Sequence, residues 1–326
     1  MFLDPRIPFL TVLLVFSASA WSAESFPSGA LPGVSIGGKL PDSHETSGIA
    51  WHAGLQKFFL VSDGGTVTSM TAKGTKLNHW SISADLEAVT VARSESDFIY
   101  LGIEDPDSIY EFNITTGLVT RTFDLTPWMK GPDNSGLEAL TFVPDQADPE
   151  GGLFYAGLQD DGRIFVFRLP ILSSTTSTAV TWIRTIPPIN GIGNISDLAY
   201  VPSQDAIYAI YDKDDLLRAM ETDGTLIGEW SLPGNDQEGV ALKGNELYIS
   251  EDYGGDGGDV LRYSPFAPIP QPDLDADGKV TLTDFALMSA AWISNGLNTS
   301  ADINGDGIVD TADLAILSDY WLQGIY

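Results

Sequence analysis

The chain has 326 residues, enough for one large domain and a small one, and its 43% hydrophobic content supports a buried core. It carries 45 acidic residues against 16 basic ones, a net charge of −29. That balance excludes free nucleic acid and anionic membranes as partners, because phosphate binding needs clustered Lys and Arg, and it favours cations, which would relieve self-repulsion.

At the N-terminus, Arg6 precedes the apolar run Ile7–Phe16 and the small residues Ala18-Ser19-Ala20. This reads as an export signal over 1–20, although Asp4 weakens its charged start. The run is too short for a comfortable bilayer span, and no other segment could make one. The expected location is secreted, periplasmic or at the cell surface. An exported chain without cysteine must rely on core packing rather than disulfides.

From 25 to 266 the sequence predicts an all-β domain. Five short segments open successive units: Ser47–Ala50, Glu87–Thr90, Glu138–Thr141, Ser196–Ala199 and Glu238–Ala241. A second strand follows each, as in Phe58–Ser62, Phe98–Gly102 and Ile207–Tyr211, and most end in acid. Third strands include Ser108–Asn113 and Arg163–Leu169, and fourth strands include Leu118–Leu125 and Leu226–Leu232. Four-stranded units of ~40–50 residues are propeller blades. The fifth unit runs into prolines after Ser264 and lacks its fourth strand. Gly33–Leu40 can supply it, closing a five-bladed ring and removing an open edge.

First strands line the channel of a propeller, so Ser47, Glu87, Glu138, Ser196 and Glu238 should form a ring with Asp197 beside it. Carboxylates facing one channel repel unless they are protonated or bridged by a cation. Pairing with backbone amides or with Lys and Arg is the alternative. With so few basic residues, a calcium-like ion held by Glu87, Glu138 and Glu238 is favoured.

The phrases Asp85-Leu86-Glu87-Ala88-Val89, Ser135-Gly136-Leu137-Glu138-Ala139-Leu140, Ser196-Asp197-Leu198-Ala199 and Gln237-Glu238-Gly239-Val240-Ala241 resemble the SdiA-regulated propeller family over most of 40–266. The resemblance implies a calcium-binding five-bladed propeller, distantly similar to phytase-like propellers, with Glu87, Glu138 and Glu238 at its ring positions. The family commonly has Gly after Glu, whereas this chain has Ala88 and Ala139.

Enzymatic motifs are weak. Gly33-Val34-Ser35-Ile36-Gly37 fits a nucleophile elbow, but no helix follows it. His44, His52 and His79 have no transition-metal spacing, and only His44 could reach the channel mouth. The acid pairs Glu104-Asp105, Asp160-Asp161, Asp214-Asp215 and Glu251-Asp252 are turn residues or further calcium ligands. The stretch Glu251–Asp259 is either an additional loop site or a Gly-rich turn.

A proline-rich linker, 267–272, leads to a module at 273–326. There two loops repeat each other. The first offers Asp273, Asp275, Asp277, the Lys279 carbonyl, Thr281 and Asp284, and the second offers Asp302, Asn304, Asp306, the Ile308 carbonyl, Asp310 and Asp313. Oxygen ligands at positions 1, 3, 5, 7, 9 and 12, with Gly at 6, are the spacing that wraps calcium. Helices follow, with stripes at Phe285, Met288, Trp292 and at Leu314, Leu317, Trp321. No helix precedes either loop, and Asp rather than Glu closes each one. Duplicated loop-then-helix units of this kind resemble a dockerin, which implies a calcium-dependent cohesin-like scaffold partner. Positions 10 and 11 are Leu282-Thr283 and Thr311-Ala312, where dockerins usually carry a Ser/Thr-type pair.

Together these features predict an exported calcium-binding propeller that takes an unidentified ligand at its channel mouth and docks through the C-terminal module. Binding is favoured over catalysis. The alternative is a calcium-dependent esterase or phosphoesterase of phytase-like type.

Overall fold

The computed structural model describes residues 26–27, 30–38, 40, 44–132, 134–189, 192–253, 258–266, 272–275, 279–292, 301–303 and 308–321. The signal at 1–20, nearly all of the linker, and Asp256, Asp277, Asn304 and Asp306 lie outside these residues. Among the described residues no helix is long and apolar enough to cross a membrane.

Five antiparallel sheets of four strands form a five-bladed propeller. The first four blades run in chain order from channel to rim. They are β2 to β5 (Thr46–His52, Lys57–Ser62, Thr66–Met70, Asn78–Ser81), β6 to β9 (Leu86–Thr90, Phe98–Ile103, Ser108–Asn113, Leu118–Asp124), β10 to β13 (Leu137–Pro144, Gly152–Leu158, Ile164–Arg168, Thr181–Ile186) and β14 to β17 (Ile195–Val201, Ala206–Tyr211, Leu216–Met220, Leu226–Ser231). In the fifth, β18 (Gln237–Lys243), β19 (Glu246–Asp252) and β20 (Gly258–Tyr263) are completed by β1 (Val34–Ser35) from the N-terminus.

Burial follows position in the blade. Second strands are sandwiched between neighbouring sheets, and β15 is buried along its whole length. The outermost strand β9 alternates or is exposed, with Leu118 62% accessible. Apolar clusters fill the gaps between blades, such as Phe142, Phe154 and Phe167 with Tyr100 of the preceding blade.

The closing strand is shorter than Gly33–Leu40. Only Val34 and Ser35 pair in register, with Arg262 and Leu261. Beyond them Ile36 N–H still reaches Val260 O at 2.8 Å, and Gly37 N–H reaches Asp259 Oδ1 at 3.0 Å. A Cβ on Gly37 would sit 2.5 Å from Val260 N, so only glycine lets the chain pass that close. Asp259 also accepts from Ser35 Oγ at 2.8 Å. Ser35 therefore belongs to the ring closure, not to a nucleophile elbow.

Each inner strand is the free edge of its sheet, so its unpaired backbone faces the channel. Asp197 resolves much of this. Its carboxylate accepts the N–H of Leu198 at 2.8 Å and of Val240 at 2.9 Å, and the N–H groups of Ile49 and Leu140 also face it. Those donors hold the same position in four inner strands, which puts this fully buried carboxylate on the channel axis. Burial pushes its pKa well above the usual carboxylate range, and the four N–H donors pull the other way. One level further along, Thr90 and Thr141 accept the N–H of Phe142 and Tyr200 from the next blade.

His44 is buried rather than at the channel mouth. Its Nε2 meets Thr68 Oγ1 at 3.0 Å, and Thr68 Oγ1 meets His79 Nδ1 at 2.9 Å. Desolvation, then the nearby His79, lower its pKa to about 4.

Two outcomes are expected. Asp197→Ala orphans buried N–H groups of several strands at once and should cost about 3–5 kcal/mol, read as a lower urea midpoint at unchanged m-value. His44 stays neutral in the fold while it protonates in the unfolded chain. Its contribution, on the order of 3 kcal/mol, is present above pH 6.5 and is lost as pH falls towards 4. His44→Gln should flatten that limb of a stability-against-pH curve.

Candidate functional site

All five ring positions share one backbone device. The pairing register skips one residue in every inner strand: Ser47, Glu87, Glu138, Ser196 and Glu238. Each is the extra residue of a β-bulge, and a bulge re-aims its side chain out of the ladder. The ring positions read from the sequence therefore lie at equivalent sites around one end of the channel. Asp197 lies beyond them, deeper along the axis.

The carboxylates there are crowded. Asp85, Glu87 and Glu104 each present an oxygen within 4.8 Å of the others. Glu138 and Glu238 lie outside that cluster. Glu138 instead accepts from Gln159 Nε2 at 2.8 Å, and Glu238 lies beside Ser196. Desolvation, followed by Asp85 and Glu104, pushes the Glu87 pKa up to about 9. Glu138 is driven well above its ordinary value by burial and then by Glu87 and Glu238. Burial and then Asp212 raise Glu238 to about 7.

Several loop acids have structural work instead. Glu104 Oε1 accepts Gly136 N–H at 2.8 Å, and Asp107 Oδ1 accepts Leu137 N–H at 2.7 Å, clasping blade two to blade three. Asp212 does the same for Gln237 N–H at 3.2 Å between blades four and five. Asp161 pairs with Arg163 at 2.6 Å. Glu104 thus both clasps and joins the cluster. The sequence places Glu104 among acids that are either turn residues or further calcium ligands and assigns Asp85 no role, although Asp85 precedes the bulge by two residues.

The C-terminal module contains α1 (Leu282–Ala290) and α2 (Thr311–Asp319). Asp273, Asp275 and Asp284 bring their oxygens within 4.8 Å of one another. Asp284 is fully buried, and its Oδ1 accepts the N–H of Leu274 at 2.7 Å and of Asp275 at 3.2 Å. Hard carboxylate oxygens converging at loop positions 1, 3 and 12 fit calcium. Thr281 and Asp310 serve as helix N-caps, with Asp284 and Asp313 closing the capping boxes. Asp310 Oδ1 accepts Ala312 N–H at 2.7 Å, and Asp313 Oδ2 accepts Asp310 N–H at 2.9 Å. Lys279 and Ile308 occupy isolated β-bridge positions in the two loops.

A shared core of Leu274, Val280, Met288, Ile303, Val309 and Leu317 joins the two halves, with Trp292, Leu314 and Trp321 against it. Phe285 departs from the expected stripe and is 38% exposed. Buried Asp284 fixes the rotation of the first turn, so the next residue faces outward.

Comparison with known proteins agrees with this division. Residues 271–322 match the Dockerin type I domain. Residues 175–253 match the SdiA-regulated family. No curated protein matches. Among solved structures, the crystal structure of Myxococcus xanthus glutaminyl cyclase has a TM-score of 0.47 at 10% identity, covering 68% of this chain and 90% of that one.

The raised carboxylates carry a stability consequence. A group whose folded pKa lies above its unfolded value stabilises the fold at low pH and loses that contribution as pH rises. In chelator, and above the range in which His44 titrates, the melting temperature should therefore fall as pH rises through about 7, where Glu238 ionises, towards about 9, where Glu87 does. Glu87→Gln should remove the upper part of that decline in a melting series.

Proposed function

We propose that this chain is an exported calcium-binding protein with two working ends. The dockerin at its C-terminus attaches it to a cohesin-like scaffold, and the acidic mouth of its propeller holds a cation and, through it, a ligand or partner. The observation that carries the reading is the convergence of Asp273, Asp275 and Asp284 inside the segment matching the dockerin type I domain. The first loop would hold calcium through those carboxylates, Asp277 and the Lys279 carbonyl. The second would use Asp302, Asn304, Asp306, the Ile308 carbonyl and Asp313. The N-cap role of Thr281 and Asp310 favours a water-mediated contribution from position 9. Calcium would tie each loop to its helix, coupling metal uptake to order in the module. Dockerin modules belong to extracellular or cell-surface proteins, which agrees with the export signal read at 1–20.

At the propeller mouth, Asp85, Glu87 and Glu104 form the favoured cation seat, with Glu138 and Glu238 facing the same space. A calcium-dependent phosphoesterase is the second reading. It is favoured by Glu238, outside that seat, whose pKa burial and then Asp212 raise to about 7, the range a general acid at neutral pH requires.

Calorimetry on the full chain should show calcium uptake, with Asp284→Ala removing the first-loop site. Capture by a cohesin-bearing scaffold should be lost in chelator. No uptake, or capture indifferent to chelator, would sink the docking role. Turnover of phosphomonoesters that is lost on Glu238→Gln would favour the enzyme over the binder.

A further inference from the structure

The inner strands end in a second ring that the acidic mouth does not use. Four residues beyond each bulge stand Trp51, Val91, Phe142, Tyr200 and Leu242, one from each blade. All five line one cavity of about 710 Å³ at the end of the channel opposite the acids. Asp197 lies between the two rings, tied to backbone N–H groups of neighbouring inner strands and shut off from solvent. The channel is therefore two separate cups, not one pore.

The chemistry of the second cup differs from that of the first. Its inner wall is mostly aliphatic and aromatic, with Thr90 and Thr141 among it, and Asp273 and Lys279 of the first C-terminal loop also line it. Two of the inner-edge amides near it are already taken, those of Phe142 and Tyr200, which bond to Thr90 and Thr141. Charge at its rim is mixed, from Arg93, Glu95, Glu150, Asp273 and Lys279, and partly self-compensated, as in the exposed Arg93–Glu95 pair at 2.5 Å. A volume of this size is typical of small-molecule sites, which are mostly apolar concavities with few polar groups. Apolar surface gains by leaving water, whereas an ionised ligand would lose hydration against the apolar inner wall.

We infer that this cup is a second binding site, for a small uncharged molecule bearing an apolar ring, and that it works independently of the calcium-adapted mouth. The five-fold recurrence of apolar residues at one backbone position, behind a closed axis, is what distinguishes it from an incidental gap between strands.

The test uses the full chain in calcium with the neutral fluorophore N-phenyl-1-naphthylamine. Saturable one-site binding is expected, with blue-shifted emission and energy transfer from tryptophan. Ala50 and Ala199 also line the cup, both only half-buried. Ala50→Phe and Ala199→Phe fill it and should each weaken binding at least tenfold. Leu242→Asn removes apolar surface without adding bulk, and it should weaken binding several-fold even where a filling variant fails to fold. Glu87→Gln, in the other cup, should leave the probe affinity unchanged. Absence of saturable binding overturns the inference. So does wild-type affinity in every folded cup variant, or a loss in Glu87→Gln matching theirs.

Discussion

The central constraint on this fold is what to do with five free sheet edges that meet at one axis. Every blade offers its inner strand to the channel with backbone donors and acceptors unpaired on one side. A buried N–H without a partner costs about 1–3 kcal/mol, so a ring of them would be a serious burden. One carboxylate meets several of them. Asp197 reaches the axis and takes amides from its own strand and from its neighbours. An unpartnered polar group there would be costly; with these donors, the side chain becomes the point at which separate blades are locked in phase. Thr90 and Thr141 repeat the device on a smaller scale.

The same edge position explains the acidic mouth. An inner strand has no outer neighbour on the channel side, so it tolerates an extra residue in each blade. The bulge turns that residue towards the mouth, and in three of the five blades it is glutamate. Closing the ring then forces carboxylates together, and burial raises their pKa values. Protonation relieves the crowding at low pH. The crowding is thus a consequence of propeller closure, and it gives the mouth the converging oxygens that a divalent cation requires.

The two calcium-adapted places differ in how they are built. In the C-terminal module, the clustered carboxylates come from one short loop, and the closing aspartate is also the N3 residue of a capping box. Carboxylate cluster, loop turn and helix start form one local unit. At the propeller mouth, Asp85 and Glu87 come from the start of an inner strand and Glu104 from the loop after the second strand. Glu104 is held there by an amide of the next blade. That site exists only when blades two and three are docked.

Much of this was legible in the chain. Short recurring strands announced five blades. The spare N-terminal segment announced the closure, and loop spacing announced the dockerin, because each signal is carried by residues close in sequence. Ring positions Glu87, Glu138 and Glu238 could be aligned for the same reason. What only the tertiary structure decided are the relations between blades. Asp197 became the axial acceptor, Asp85 and Glu104 joined Glu87, and His44 turned inward to Thr68. Trp51, Val91, Phe142, Tyr200 and Leu242 became one wall. A strand's own pattern states which of its faces is apolar. It does not state what an edge or a bulged side chain will meet across the channel, since those partners lie tens of residues away and are fixed only when the ring closes.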